Sequence, residues 1–207
     1  MRENEMIRID LHMHTWFSGD ATISPKLIVN QLHAHPFIKG VAITDHDTLK
    51  GYIQARKLAR AYEDLLIIPG IEVSAQEGHI NILGIEEKPA LPLSVESVVD
   101  FARERDGTIV IPHPYRELGL GDVARNIQAD AVEVLNAYST NRENKMAREL
   151  AKAKDLPGVA GSDAHTPKHM CTAYTEIKAE QNIDDVLKAI KRGLVRVASE
   201  KPRKATI

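Results

Sequence analysis

The sequence predicts an α/β protein built as a compact barrel, and three observations lead there. Short β-rich runs alternate with capped helical stretches, the pattern of a parallel sheet with crossover helices. Seven strand candidates fall within 207 residues, a length that suits one domain. An open doubly wound sheet is the alternative, but neither GxGxxG nor GxxxxGK[ST] is present to support it.

The elements follow in order. The strand runs are Ile7–His12, Gly40–Thr44, Leu65–Ile71, Ile80–Ile85, Thr108–Pro112, Ala131–Leu135 and Gly158–Gly161. Ser24 and Pro25 open a helix as N-cap and first residue, and Pro36 stops it. Leu49–Asp64 and Ser94–Asp106 read as the next helices, the second closed by Gly107. Thr140–Lys154 and Ile183–Arg192 complete the set, with Gly193 after the last. The chain is expected to be a single domain over residues 1–207, its core about 7–197. Residues 198–207 are expected to form a basic tail, SEKPRKATI being its frayed end.

Apolar residues make up 43% and charged residues 27%, which is ordinary for a globular chain with a real core. The formal net charge of -2 disfavours whole-surface attraction to nucleic acid or an anionic membrane. The one cysteine, Cys171, excludes an internal disulfide and a CxxC zinc site. The polar opening MRENEMIRID is not followed by an apolar signal core, and LLIIPGI is far too short to span a bilayer. A cytoplasmic protein without a membrane partner is expected.

The histidines and carboxylates fall at strand ends. His12 and His14 follow the first strand; Asp45 and His46 follow the second; Glu72 ends the third. His79 opens the fourth, His113 ends the fifth, and Asp163 and His165 follow the seventh. In a parallel barrel the strand C-termini share the face that carries the active site. One histidine after a strand is usually a loop or core residue. At least five strand ends carrying ligand-type residues point to a metal site.

A second HxH, His33 and His35 in QLHAHPF, is an internal control. On a helix, positions i and i+2 diverge, and a cation at the helix C-terminus explains the pair. After a strand, i and i+2 share one side, so His12 and His14 can grip one ion.

The ordered motifs DLHMHT, TDHD, GIEVS, HINILG, IPHP and GSDAH resemble those of the polymerase and histidinol phosphatase (PHP) superfamily. The resemblance runs from about Ile7 to Val197 and includes IDDVLKAIKRGLV near the end. It implies a distorted (β/α)7 barrel with a metal cluster, often trinuclear, at the strand C-termini. Carried over by motif, His12, His14 and Asp163 would hold a first ion, with Glu72 bridging to a second. Glu72, His79 and His113 would hold the second, and Asp20, His46 and His165 a third. No ligand position is lost, which weighs against an inactive relative of the same barrel.

Imidazoles and carboxylates without thiolates suit divalent zinc, manganese or iron, and the resemblance implies two or three such ions. Three such ions against three ligand carboxylates leave about three surplus positive charges, a pocket for an anion. The expected activity is a trinuclear metal-dependent phosphatase or phosphodiesterase that activates water against a phosphoester. A small phosphorylated metabolite is the expected substrate: a nucleotide, a nucleoside bisphosphate or histidinol phosphate. Asp45 is the candidate catalytic group for orienting a ligand or managing a proton; a turn or N-cap role competes equally. Arg116, Asn136 and Arg142 are the candidate substrate contacts, the arginines as phosphate forks and Asn136 as a hydrogen-bonding partner of substrate or of a ligand. Trp16 and Phe17 lie inside the metal loop and can stack on a ring or simply pack. His169 can line the rim or lie on the surface, and surface is the favoured reading. The alternatives are a nuclease acting on a nucleic-acid end and a non-catalytic metal-binding scaffold. Hydrolysis of a C–N bond on a similar barrel is a further one, for which no matching bridging lysine is evident.

Overall fold

The computed structural model describes residues 6–90 and 92–200. Nine strands form one continuous sheet: β1 Ile7–Met13, β2 Ile38–Ile43, β3 Leu66–Ala75, β4 Gly78–Leu83, β5 Thr108–Ile111, β6 Ala131–Asn136, β7 Gly158–Gly161, β8 Ala173–Ile177 and β9 Val195–Ser199. Their order is β7-β6-β5-β4-β3-β2-β1-β8-β9. The sheet curls until its ends meet. Asp163 N donates to His12 O at 2.7 Å and His14 N to Ala164 O at 3.1 Å, so the segment after β7 lies along the second half of β1. The Thr175 hydroxyl bonds Ala160 N and Ala160 O, joining β7 to β8. The architecture is therefore mixed α/β with a nearly closed, distorted barrel.

The seven expected strands all form, and the parallel expectation holds only in part. β1 to β2, β2 to β3, β5 to β6 and β6 to β7 are parallel pairs. β4 runs antiparallel to both β3 and β5. Only Gln76 and Glu77 separate β3 from β4, too few for a crossover, so a hairpin is forced. β8 and β9 extend the sheet beyond the expected seven, β8 antiparallel to β1 and β9 to β8. Ala198 and Ser199 thus belong to β9 rather than to a tail, and Glu200 N bonds Thr172 O. The rest of the expected tail, residues 201–207, lies outside the described residues.

Among the described residues five α-helices clothe the barrel: α1 Pro25–Ala34, α2 Lys50–Ala59, α3 Val95–Arg103, α4 Asn141–Ala153 and α5 Ile183–Lys191. Their starts are chemically explicit. Ser24, Ser94 and Asn182 accept from the N–H groups of Leu27, Ser97 and Asp185, and Thr140 with Glu143 forms a capping box. α2 ends about a turn before its expected limit, where Tyr62 N folds back to Ala59 O. Buried Ile43 and Ile82 cluster with residues of the helices, while Ile9, Ile68 and Val110 join a cluster drawn from β1 to β8 and α5. Apolar burial of this kind is the main stabilising term of the fold. Its functional product is a rigid rim on which polar side chains can be held.

Candidate metal centre

The rim at the C-terminal ends of the parallel strands gathers every expected ligand position. Because β4 runs backwards, it is its first turn, not its last, that reaches this rim; His79 belongs there for that reason. His12 and His14 alternate with Met13 along β1 and face the same side. Their Nε2 atoms lie 3.1 Å apart. Glu72 Oε2 is 3.2 Å from His12 Nε2 and 3.1 Å from His14 Nε2. Asp163 Oδ1 is 3.4 and 3.2 Å from the same two nitrogens. All four residues are buried.

The other oxygen of Glu72 serves a second group. Oε1 is 3.0 Å from His113 Nε2 and 3.0 Å from His79 Nδ1. His46 approaches this group too, its Nδ1 3.6 Å from Glu72 Oε2. The compact triad here is His46, Glu72 and His79, with His113 joined through Glu72. A third group sits nearer solvent. Asp20 Oδ2 is 3.2 Å from His165 Nε2 and 3.4 Å from His46 Nε2, and His14 completes the set. His46 therefore stands between two groups, where the sequence grouping gave it to one.

The donor atoms fit a cation. Tetrahedral N and O ligands at about 2.0–2.1 Å from an ion lie about 3.3–3.4 Å apart. The separations of His12 and His14 from each other and from Glu72 and Asp163 fall between 3.1 and 3.4 Å. Asp163 Oδ1, His46 Nδ1, His79 Nδ1 and His113 Nδ1 are buried and make no hydrogen bond among the described residues. For His79 the neighbouring oxygen is close enough, at 3.0 Å, but off the hydrogen-bonding direction. Buried polar atoms without partners are costly; an ion in the first group would satisfy Asp163 Oδ1 and one beside Glu72 would satisfy His46 Nδ1 and His79 Nδ1, whereas His113 turns Nε2 rather than Nδ1 toward Glu72.

Electrostatics agree. Burial pushes the His12 imidazole down, but Asp163, Glu133 and Glu72 outweigh it and hold His12 well above its ordinary value. Burial likewise opposes charge on His14, yet the neighbouring Asp163 and Glu72 carboxylates lift it to about 9. Burial raises Glu72 and Asp163, while His12 and its neighbours pull both well below the ordinary carboxylate range. These carboxylates demand positive charge beside them. Backbone geometry is spent here as well: Asp163 has φ +53 and His113 φ +22, conformations that non-glycine residues adopt at a cost of about 1–3 kcal/mol.

The remaining expected residues separate. Arg116 reaches the centre, its Nη1 donating to Asp163 Oδ2 at 2.5 Å and to Asn136 Oδ1 at 3.3 Å. Asn136 is 1% exposed and fully engaged; its Nδ2 donates to Asp163 Oδ2 and Glu133 Oε2, and its Oδ1 accepts from Tyr138 N and Ser139 N. It braces Asp163 against Glu133. Arg142 is exposed in the first turn of α4 and pairs with no side chain among the described residues. Asp45 takes two hydrogen bonds from Thr15, 2.5 Å from N and 2.7 Å from Oγ1, and burial raises its carboxyl to about 6. It pins the residue that follows His14. His33 packs on the Tyr62 ring, and His35 Nδ1 accepts from Ile38 N; neither enters the centre. His35 therefore closes the turn after α1 as an acceptor, which replaces the helix-dipole role expected for it.

Several contributors escaped the sequence reading. Glu133, buried in β6, bonds His12 Nδ1 at 3.1 Å and His113 N at 2.9 Å. Ser18 holds His14 Nδ1 at 2.8 Å and accepts from His46 N at 2.9 Å. Tyr138, 40% exposed, bonds His169 Nδ1 at 2.5 Å and packs edge to face with His165, ring centroids 6.0 Å apart, so His169 stands at the rim of the centre. An acid inside the apolar run AVEVLN was the available signal for Glu133; Ser18 and Tyr138 carried none. A cavity of about 600 Å³ opens at the opposite end of the barrel, beside Arg8, Lys39 and Gly40. Arg8 and Lys39 are already paired there with Glu176 and Asp64, and the ligand-type clusters all lie on the other rim.

Comparison with known proteins gives the same answer at the level of family and fold. The family described as PHP-associated matches residues 141–195, from α4 to the start of β9. An uncharacterized protein of Methanocaldococcus jannaschii is 33% identical over 162 residues, covering 70% of this chain and 94% of that protein. A two-domain protein of Bacteroides vulgatus containing a predicted PHP-like metal-dependent phosphoesterase superposes with TM-score 0.80 at 18% identity, over 96% of this chain and 69% of that one. A lesion-specific endonuclease of Pyrococcus furiosus superposes with TM-score 0.66 at 17% identity, over 93% of this chain and 57% of that one. With the ordered motifs, the barrel and these likenesses together, the chain belongs to the polymerase and histidinol phosphatase (PHP) superfamily.

Proposed function

We propose that this protein is a metal-dependent phosphoester hydrolase acting on a small phosphorylated metabolite in the cytoplasm, and that residues 1–207 act as one unit. The observation that carries the reading is the interlocked donor set, in which Glu72 and Asp163 link three groups of imidazoles and carboxylates. His12, His14, Glu72 and Asp163 would hold a first divalent ion, Glu72, His79 and His113 a second, and Asp20, His46 and His165 a third. Bound divalent ions would acidify a water and neutralise charge on the phosphoryl oxygens.

The protein's own residues do the rest. Asp163 presents Oδ1 to the centre because Arg116 and Asn136 occupy Oδ2. Arg116 commits one nitrogen to Asp163 and keeps further N–H groups for a phosphoryl oxygen, with 28% of its side chain exposed. Asp45 acts as a positioning residue through Thr15 and so through His14.

A nucleic-acid end is the second reading. Trp16 and Phe17, 51% and 38% exposed in the loop between His14 and Asp20, supply faces on which bases can stack. The likeness to the Pyrococcus furiosus endonuclease adds to it.

The test is elemental analysis of protein purified without added metal, with turnover of an aryl phosphate and an aryl phosphodiester. Two or three ions per chain with monoester hydrolysis supports the first reading. Metal with turnover confined to nucleic-acid ends supports the second. A protein that takes up neither Mn²⁺ nor Zn²⁺ would refute both and leave a scaffold.

A further inference from the structure

We infer that Glu133 fixes which nitrogen of His12 faces the candidate metal centre, and that only a carboxylate can do this at position 133. The consequence for metal binding rests on the proposed function; the tautomer itself does not.

Glu133 is the third residue of β6 and is 2% exposed. A carboxylate removed from water this completely must find donors. It finds three. Oε1 is 3.1 Å from His12 Nδ1, while Oε2 accepts from His113 N at 2.9 Å and Asn136 Nδ2 at 3.0 Å. An ionised carboxylate can only accept, so every partner must donate. His12 is thereby obliged to carry a proton on Nδ1. In the neutral ring the lone pair is then on Nε2, the nitrogen facing His14, Glu72 and Asp163. His14 has no such constraint, because the Ser18 hydroxyl at its Nδ1 can donate or accept.

The same carboxylate reaches two more candidate ligands. Through His113 N it fastens the residue whose φ is +22 at the end of β5. Through Asn136 Nδ2, which it shares with Asp163 Oδ2, it fixes the carboxylate that follows β7. Glu133 therefore ties together ligand positions from three strands while standing outside the ligand set.

Glutamine in its place has the same shape and the wrong chemistry. Its one oxygen would be drawn to the Oε2 position, where two N–H groups converge. Its NH₂ would then face His12 Nδ1 and require a lone pair there. The His12 proton would move to Nε2, and the ring would turn a donor toward the centre.

The experiment uses the full chain. In Zn²⁺-loaded wild type with ¹⁵N-labelled histidine, long-range ¹H–¹⁵N spectra should show His12 protonated on Nδ1 and bound through Nε2. Glu133→Gln should keep the wild-type far-ultraviolet circular dichroism but bind Zn²⁺ about 10–100-fold more weakly in competition with a chelator. Wild-type affinity in Glu133→Gln, or Nδ1 as the bound nitrogen in the wild type, would overturn the inference. If the wild type binds no metal, the proposed function falls separately. The neutral His12 ring of that metal-free protein, read at alkaline pH, would still decide the matter: a proton on Nδ1 supports the inference and a proton on Nε2 refutes it.

Discussion

Gly161, the last residue of β7, offers the sharpest single perturbation. A Cβ at this position would meet His12 Cβ at 2.3 Å, His12 N at 2.8 Å and Glu133 Oε1 at 2.8 Å. Ordinary contact begins at 3.4 Å, so Gly161→Ala demands about 1.1 Å of movement. Neither side yields easily. His12 O accepts from Asp163 N at 2.7 Å, and His12 N donates to Asp10 Oδ1 at 3.2 Å. Overpacking of this kind costs about 1–3 kcal/mol. For a chain of this size, each kcal/mol lowers Tm by about 2–4 °C. A displacement near 1 Å also takes His12 Nε2 out of a donor set spaced at 3.1–3.4 Å, and misplacement on that scale costs about 100-fold in rate. The assay is calorimetry of metal-free Gly161→Ala beside a Zn²⁺ competition titration. A variant with wild-type Tm and wild-type affinity would refute the packing of β7 on His12.

The remaining predictions are compact. His12→Ala and Asp163→Ala should each abolish hydrolysis while circular dichroism stays native, whereas His33→Ala should change turnover less than twofold; surviving activity in the first two would end the metal assignment. Asp20, with half its side chain exposed, should lose its ion first, so Asp20→Ala and brief chelation should both lower the metal content by about one ion per chain in elemental analysis. Equal loss from all groups would contradict that ranking. Hydrogen bonds from Arg8 and Arg196 hold Glu176 below its ordinary 4.5, so this cluster stabilises the fold above about pH 4.5 and the gain is lost as pH falls through the lowered value. Glu176→Gln should flatten that acid limb and cost about 0.2–1 kcal/mol at neutral pH, small because both arginines are partly exposed. An unchanged acid limb would remove the cluster from the account.

The strands and helices were legible where the chain punctuates itself. Ser24-Pro25, Ser94, Thr140 and Gly193 mark helix limits by chemistry that needs no tertiary partner. The direction of β4 was implicit in the two residues before it, but alternation with helices suggested a crossover. β8 and β9 stayed hidden because Thr175, Glu176 and Arg196 interrupt their apolar pattern; only the folded sheet shows these residues paired across the strands. Most candidate ligands were legible because they lie at the ends or openings of strands, whereas Asp20, between β1 and α1, was placed by the family resemblance alone. Glu133 was not, since an acid within β6 is readable only when His12 and His113 stand beside it, and of the two roles open to Asn136 the folded chain shows the bond to the ligand position Asp163.

The hydrogen bond from Asp163 N to His12 O closes the barrel and also brings the ends of the donor set together. Those two residues are 151 positions apart in the chain, so no local segment can preassemble the site. Loop closure over such a span comes late and slowly in folding. An ion captured by the finished set would then act as a rivet on the last seam. Holo protein should unfold far more slowly than apo protein while folding at nearly the same rate, making retention of metal a kinetic lock on the whole chain.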